Sequence, residues 1–293
     1  MTRFVAGRIV LASALALLSL PPRYCSAADT PASSQPRTVE VPSGKLRLKA
    51  FLWMPDGPGP FPVVLFNHGS GGDTADQTAG MPITDASKRL APIFVRHGYA
   101  FLFLFRRGQG LSAGQAPYMQ DVLKREEASH GLEARRHMQL VLLQTEQLDD
   151  VMAALAFLKT APGIDPKLIA IVGHSFGGQL TLLAAERDNG VRAVVTFGAA
   201  ANSWQTSPDL RALLLTAVAN TSAPVMLIHA SNDYDTTAGA ALASQCHDLH
   251  KLCVLKIYPA VGKSSDDGHN AIYQAIPLWE ADVLEFLDAH LKH

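Results

Sequence analysis

Leu168-Ile169-Ala170-Ile171-Val172-Gly173-His174-Ser175-Phe176-Gly177-Gly178 decides the fold of this 293-residue chain. The apolar, partly β-branched run from Leu168 to Val172 reads as a buried strand. It stops at Gly173-His174-Ser175-Phe176-Gly177, which fits G-x-S-x-G. Gln179 to Arg187 then read as a helix with small and apolar residues on one face. Strand, sharp turn with a serine at its tip, then helix is the layout of a nucleophile elbow. Such a turn strains Ser175 and exposes its Oγ. Gly173 and Gly177 lack the Cβ atoms that would collide where strand and helix crowd together. The amide of Phe176, at a helix N-terminus, can face a developing oxyanion. Without its context the pattern reads as a Gly-rich turn with a serine cap; the flanking strand and helix turn the reading to an elbow.

Working outward, strand and helix patterns alternate. Thr38–Val41 and Leu46–Met54 read as antiparallel strands. Strands follow at Pro62–Asn67, Tyr99–Phe105, Val191–Phe197, Pro224–His229 and Cys253–Tyr258. Helices are predicted at Ala86–His97, Pro208–Ala219, Thr237–Leu249 and Ile276–Leu291, with Ala260–Asn270 a loop. The highly charged stretch 118–137 reads as a helical insertion or lid, continuing into one long helix that ends near Lys159. This alternation implies an α/β fold: a mostly parallel central sheet of about eight strands with helices on both faces.

Composition is that of a globular protein, 48% hydrophobic and 17% charged, with a net charge of −1. That balance offers nothing to nucleic acid or to an anionic surface. At the N-terminus, Arg3 and Arg8 precede an apolar stretch from Ile9 to Leu20, then Pro21, Pro22 and Cys25-Ser26-Ala27-Ala28. Residues 1–27 are read as a secretory signal peptide, cleaved after Ala27 or Ala28, and 28–37 as a flexible leader. The apolar run is short for a membrane span, so no stable membrane anchor is expected after cleavage. The domain is then 38–293, secreted or periplasmic. In an oxidising compartment Cys246 and Cys253 are expected to pair as a disulfide.

In an open α/β sheet, ligands sit outside the carboxyl ends of the strands. The residues just past each strand are therefore the candidates for chemistry. Ser175 follows the elbow strand, Asp233 follows Pro224–His229, and His269 follows Cys253–Tyr258. Ser175 is a weak nucleophile until an imidazole takes its proton, and a carboxylate orients that imidazole. His269 is read as the base and Asp233 as its carboxylate, with Asp235 the alternative. A second oxyanion donor is expected from His68-Gly69-Ser70-Gly71-Gly72; Ser70 is favoured, with Gly71 the alternative. His68 precedes the elbow and reads as structural. Arg106 and Arg107 are read either as substrate-carboxylate ligands or as loop-bracing ion-pair partners. This chemistry needs no metal and no organic cofactor.

With these motifs in view, the chain resembles the α/β-hydrolase superfamily across residue 38 to the C-terminus. The likeness rests on Asn67-His68-Gly69-Ser70-Gly71-Gly72, Gly173-His174-Ser175-Phe176-Gly177-Gly178, Ser231-Asn232-Asp233 and Gly268-His269-Asn270. Within the superfamily it resembles the dienelactone-hydrolase-like and secreted esterase group. Dienelactone hydrolases proper carry a cysteine at the elbow; Ser175 points instead to a serine esterase. The resemblance implies the α/β-hydrolase fold and a small-molecule ester, thioester or lactone substrate. An acyltransferase or small peptidase would use the same residues, and a non-catalytic binding protein is a third reading.

Overall fold

The computed structural model describes residues 1–2 and 35–292. The signal-peptide reading and most of the leader fall outside the described residues. Eight strands form one sheet: β1 (Arg37–Ser43), β2 (Leu46–Trp53), β3 (Phe61–Asn67), β4 (Ala100–Leu104), β5 (Ile164–His174), β6 (Val191–Phe197), β7 (Val225–Ala230) and β8 (Cys253–Tyr258). Their spatial order is β1-β2-β4-β3-β5-β6-β7-β8. The β1–β2 and β2–β4 pairs are antiparallel; every later pair is parallel. This is the fold of the α/β hydrolases.

Period-two alternation places the core. In β5, Ile169 and Ile171 pack on one face of the sheet while Ala170 and Val172 pack on the other. In β3, Val63 and Leu65 join the first layer, Val64 and Phe66 the second. Both faces are dry, so these strands read as unbroken apolar runs. The helices are α1 (Ile83–Arg96), α2 (Met119–His130), α3 (Leu132–Gln144), α4 (Glu146–Leu158), α5 (Phe176–Arg187), α6 (Pro208–Asn220), α7 (Thr237–Asp248), α8 (Ser265–His269), α9 (Ala271–Gln274) and α10 (Ile276–Leu291). The first layer contains Leu155 of α4, Leu180 of α5, Leu214 of α6 and Leu242 of α7. The second contains Phe94 of α1 and Trp279 of α10. Trp279 meets Phe197 edge-on at 5.0 Å between ring centres.

Two expectations change. The predicted long helix ending near Lys159 is three helices. Gly131 takes φ 86° between α2 and α3, a conformation that favours glycine. Thr145 leaves helical geometry at φ −116°, ψ −104° between α3 and α4. The predicted loop Ala260–Asn270 also contains a helical turn, α8. Ser264 caps it by accepting from the Asp267 amide, while Asp267 accepts from the Ser264 amide. Cys246 and Cys253 are joined by a disulfide that ties the end of α7 to the start of β8, with Cα atoms 5.9 Å apart.

Candidate active site

Ser175 stands at the N-cap of α5 with φ 55°, ψ −120°, a strained backbone for a residue with a side chain. Its amide donates to the Phe197 carbonyl at 2.8 Å, which pins the turn to β6. The crowding is severe. A Cβ on Gly173 would lie 2.3 Å from the Gly177 carbonyl oxygen, and one on Gly177 would lie 2.0 Å from that of Asn67. The amide of Phe176 opens the helix, where first-turn N–H groups have no intrahelical acceptor.

α8 delivers His269 to this serine. His269 Nε2 lies 2.9 Å from Ser175 Oγ, and its Nδ1 lies 2.7 Å from Asp233 Oδ1. Nδ1–H therefore donates to the carboxylate, leaving the Nε2 lone pair to accept from the serine hydroxyl. Burial works to raise the Asp233 pKa. Hydrogen bonds from His229 and His269 outweigh it and hold the carboxyl well below the ordinary range. Asp235, the alternative carboxylate, serves elsewhere: it accepts from the Thr237 amide and from Gln205.

The loop after β3 brings Gly69 and Ser70 beside the elbow. A Cβ on Gly69 would sit 3.6 Å from Ser175 Cβ, and Ser70 borders both cavities that flank Ser175. Arg106 braces this loop from behind. It is fully buried, and it donates to the carbonyls of His68 at 2.8 Å and Gly69 at 2.6 Å and to Gln147 Oε1 at 3.0 Å. Burial pulls its pKa down to about 9. Arg107 grips buried Asp150 through Nη2 at 2.6 Å. Both arginines are braces, and neither borders the cavities beside Ser175. His68 is buried and stacked on Phe103, consistent with a structural role. Segment 118–137 lies at the site: Tyr118 donates to the Gly72 carbonyl at 2.7 Å, while Gln120, Leu132, Arg135 and Arg136 border one of the cavities.

The chain matches the dienelactone hydrolase family over residues 48–274. The chain belongs to this family. It is 30% identical to the quorum-quenching protein AidA of Acinetobacter baumannii (strain MDR-ZJ06) over 161 residues, which are 55% of this chain and 43% of AidA. It superposes on the dienelactone hydrolase of Anabaena variabilis ATCC 29413 with a TM-score of 0.59 and 21% identity, covering 88% of this chain and 99% of that one. The Pyrococcus horikoshii acylaminoacyl peptidase gives a TM-score of 0.60 at 20% identity, covering 88% of this chain and 42% of the peptidase. These two structural likenesses speak to the fold. This chain thus spans less than half the length of AidA and of the peptidase.

Three further residues at the site have no role assigned from the sequence. His229, inside β7, donates through Nδ1 to Asp233 Oδ2 at 2.8 Å. Gly198, at φ 58°, leaves room for the pair: a Cβ there would lie 2.9 Å from His269 Nδ1 and 3.1 Å from Asp233 Oδ2. Asn232 clamps the two loops together, donating to the Val261 and Ser264 carbonyls, each at 2.8 Å. A glycine directly after an apolar strand was the one available clue. Among the described residues, no helix is long and apolar enough to cross a membrane.

Proposed function

We propose that this chain is a secreted serine hydrolase that cleaves a carboxylic ester, thioester or lactone through an acyl-enzyme. The observation that carries the reading is the chain of contacts from Ser175 Oγ through His269 to Asp233, at 2.9 and 2.7 Å. Ser175 Oγ attacks the substrate carbonyl as His269 Nε2 takes its proton. The amides of Phe176 and Ser70 hold the resulting oxyanion. Collapse breaks the bond to the leaving group, which leaves with the proton from His269. Water then gives a proton to His269 and attacks the acyl-enzyme; the acid departs and Ser175 regains its hydrogen. Asp233 stabilises the imidazolium in each half. Export accords with the Cys246–Cys253 disulfide, since such bonds persist in oxidising compartments.

A panel of p-nitrophenyl esters of increasing acyl length tests the reading. Turnover by the wild-type protein should fall to the uncatalysed background in Ser175→Ala. Equal turnover in that variant would contradict the assignment of the nucleophile.

A further inference from the structure

Ser175 lies between two cavities, of about 510 and about 490 Å³, which share Ser70, Ser175 and Asn202. They differ in two ways. His269 borders only the second. The first is bordered by Arg135 and Arg136 and by no carboxylate; the second is bordered by Asp73 and Asp266 and by no lysine or arginine. In the proposed mechanism, on which this inference rests, His269 protonates the departing oxygen. The leaving group therefore occupies the second cavity, and the acyl group the first.

The second cavity has further features that suit a positive group. The Tyr234 hydroxyl donates to Asp266, and the Tyr234 ring lies 4.7 Å from that of His269, centre to centre. Aromatic faces and carboxylates together attract alkylammonium groups. His174, buried in the wall, donates through Nε2 to the His269 carbonyl at 2.9 Å. Asp73 and Asp266 are solvent-exposed, so their field is open to screening by salt.

We propose that the cavity on the His269 side is a subsite for a cationic leaving group, an amino alcohol or quaternary-ammonium alcohol, attracted by Asp73, Asp266 and the Tyr234 ring. An anionic alcohol would face the same two carboxylates and be disfavoured.

Three acetate esters with one acyl group test this: acetylcholine, its uncharged carbon isostere 3,3-dimethylbutyl acetate, and O-acetylglycolate. At low ionic strength kcat/KM should follow cation over neutral over anion, with roughly tenfold between cation and neutral. The cation-to-neutral ratio should fall to about twofold or less in the Asp73→Asn/Asp266→Asn double variant and in about 0.5 M salt. A wild-type ratio near one or inverted overturns the subsite, as does a ratio unchanged in the double variant. Labelling by a fluorophosphonate runs in parallel, because it reads Ser175 without this leaving group. Labelling without discrimination among the esters overturns the subsite alone. Absence of both labelling and hydrolysis overturns the proposed function and the subsite with it.

Discussion

His229 Nδ1 lies 2.8 Å from Asp233 Oδ2, so the carboxylate that holds His269 is itself held by a second imidazole. Both side chains are almost wholly buried. Removing the His229 donor leaves one carboxylate oxygen to its desolvation cost and frees the carboxylate to rotate. His229→Ala should lower kcat roughly tenfold, about 1.4 kcal/mol of barrier, with little change in KM. His229→Asn, which keeps an N–H donor, should recover part of the loss. Steady-state kinetics decide this; a kcat at the wild-type value in His229→Ala would remove His229 from the mechanism.

Arg106 presents a different kind of support. Its guanidinium fork reaches the carbonyls of His68 and Gly69, the two residues before Ser70. Arg106→Met should strip the His68 carbonyl of this donor and leave the Gly69 carbonyl with His68 Nδ1 alone, destabilising the fold by about 2–4 kcal/mol. Misplacement of the Ser70 amide should also reduce kcat by about 10- to 100-fold at temperatures where the variant is folded. Arg106→Lys keeps the charge but loses the fork, and should resemble Arg106→Met in kcat more than wild type. Denaturant midpoints and kcat, read on the same samples, separate the two effects.

Steric crowding at the elbow gives a sharp contrast between glycines. A Cβ on Gly177 would lie 2.0 Å from the Asn67 carbonyl oxygen, whereas one on Gly114 would meet nothing within 4 Å. Gly177→Ala should cost more than about 4 kcal/mol or abolish soluble expression. Gly114→Ala should be neutral or slightly stabilising, by up to about 1 kcal/mol. Thermal melts of the two variants are the check.

Much of this was legible in the residue pattern. The parallel strands read clearly because both faces of the sheet are buried, giving apolar runs such as Val63–Phe66 bounded by turn residues. Ser175, Asp233 and His269 were placed by the rule that chemistry collects beyond strand ends. His229 was hidden because it lies within an apolar strand; only the spatial register of β7 against the Asp233 turn reveals its partner. The breaks at Gly131 and Thr145 were hidden because charged helical stretches look continuous when tertiary contacts are unknown. The alternative roles of Arg106 and Arg107 were separable only by direction, since both point away from the cavities and into the carbonyls and carboxylate that they brace.

Acid should destabilise the protein through His68 and His174. Burial is the main cause that depresses both, His174 to about 3 and His68 well below its ordinary value. For a histidine held neutral in the fold, the unfolded chain binds the proton first. Stability is therefore full above the unfolded value of about 6.5 and is lost as pH falls below it, towards the folded value. Between pH 7 and pH 5 His174 should remove about 2 kcal/mol, and His68 should act in the same direction. Denaturant unfolding at the two pH values, repeated with His68→Gln, should show the slope reduced in the variant.

In the proposed mechanism Ser175 is a nucleophile activated by His269 and Asp233. Its most direct test is intact-mass spectrometry after exposure to a fluorophosphonate, followed by peptide mapping. One adduct per chain is expected, located on Ser175, abolished in Ser175→Ala and strongly slowed in His269→Ala. A folded wild-type protein that takes up no adduct, or takes it up at another residue, would contradict it.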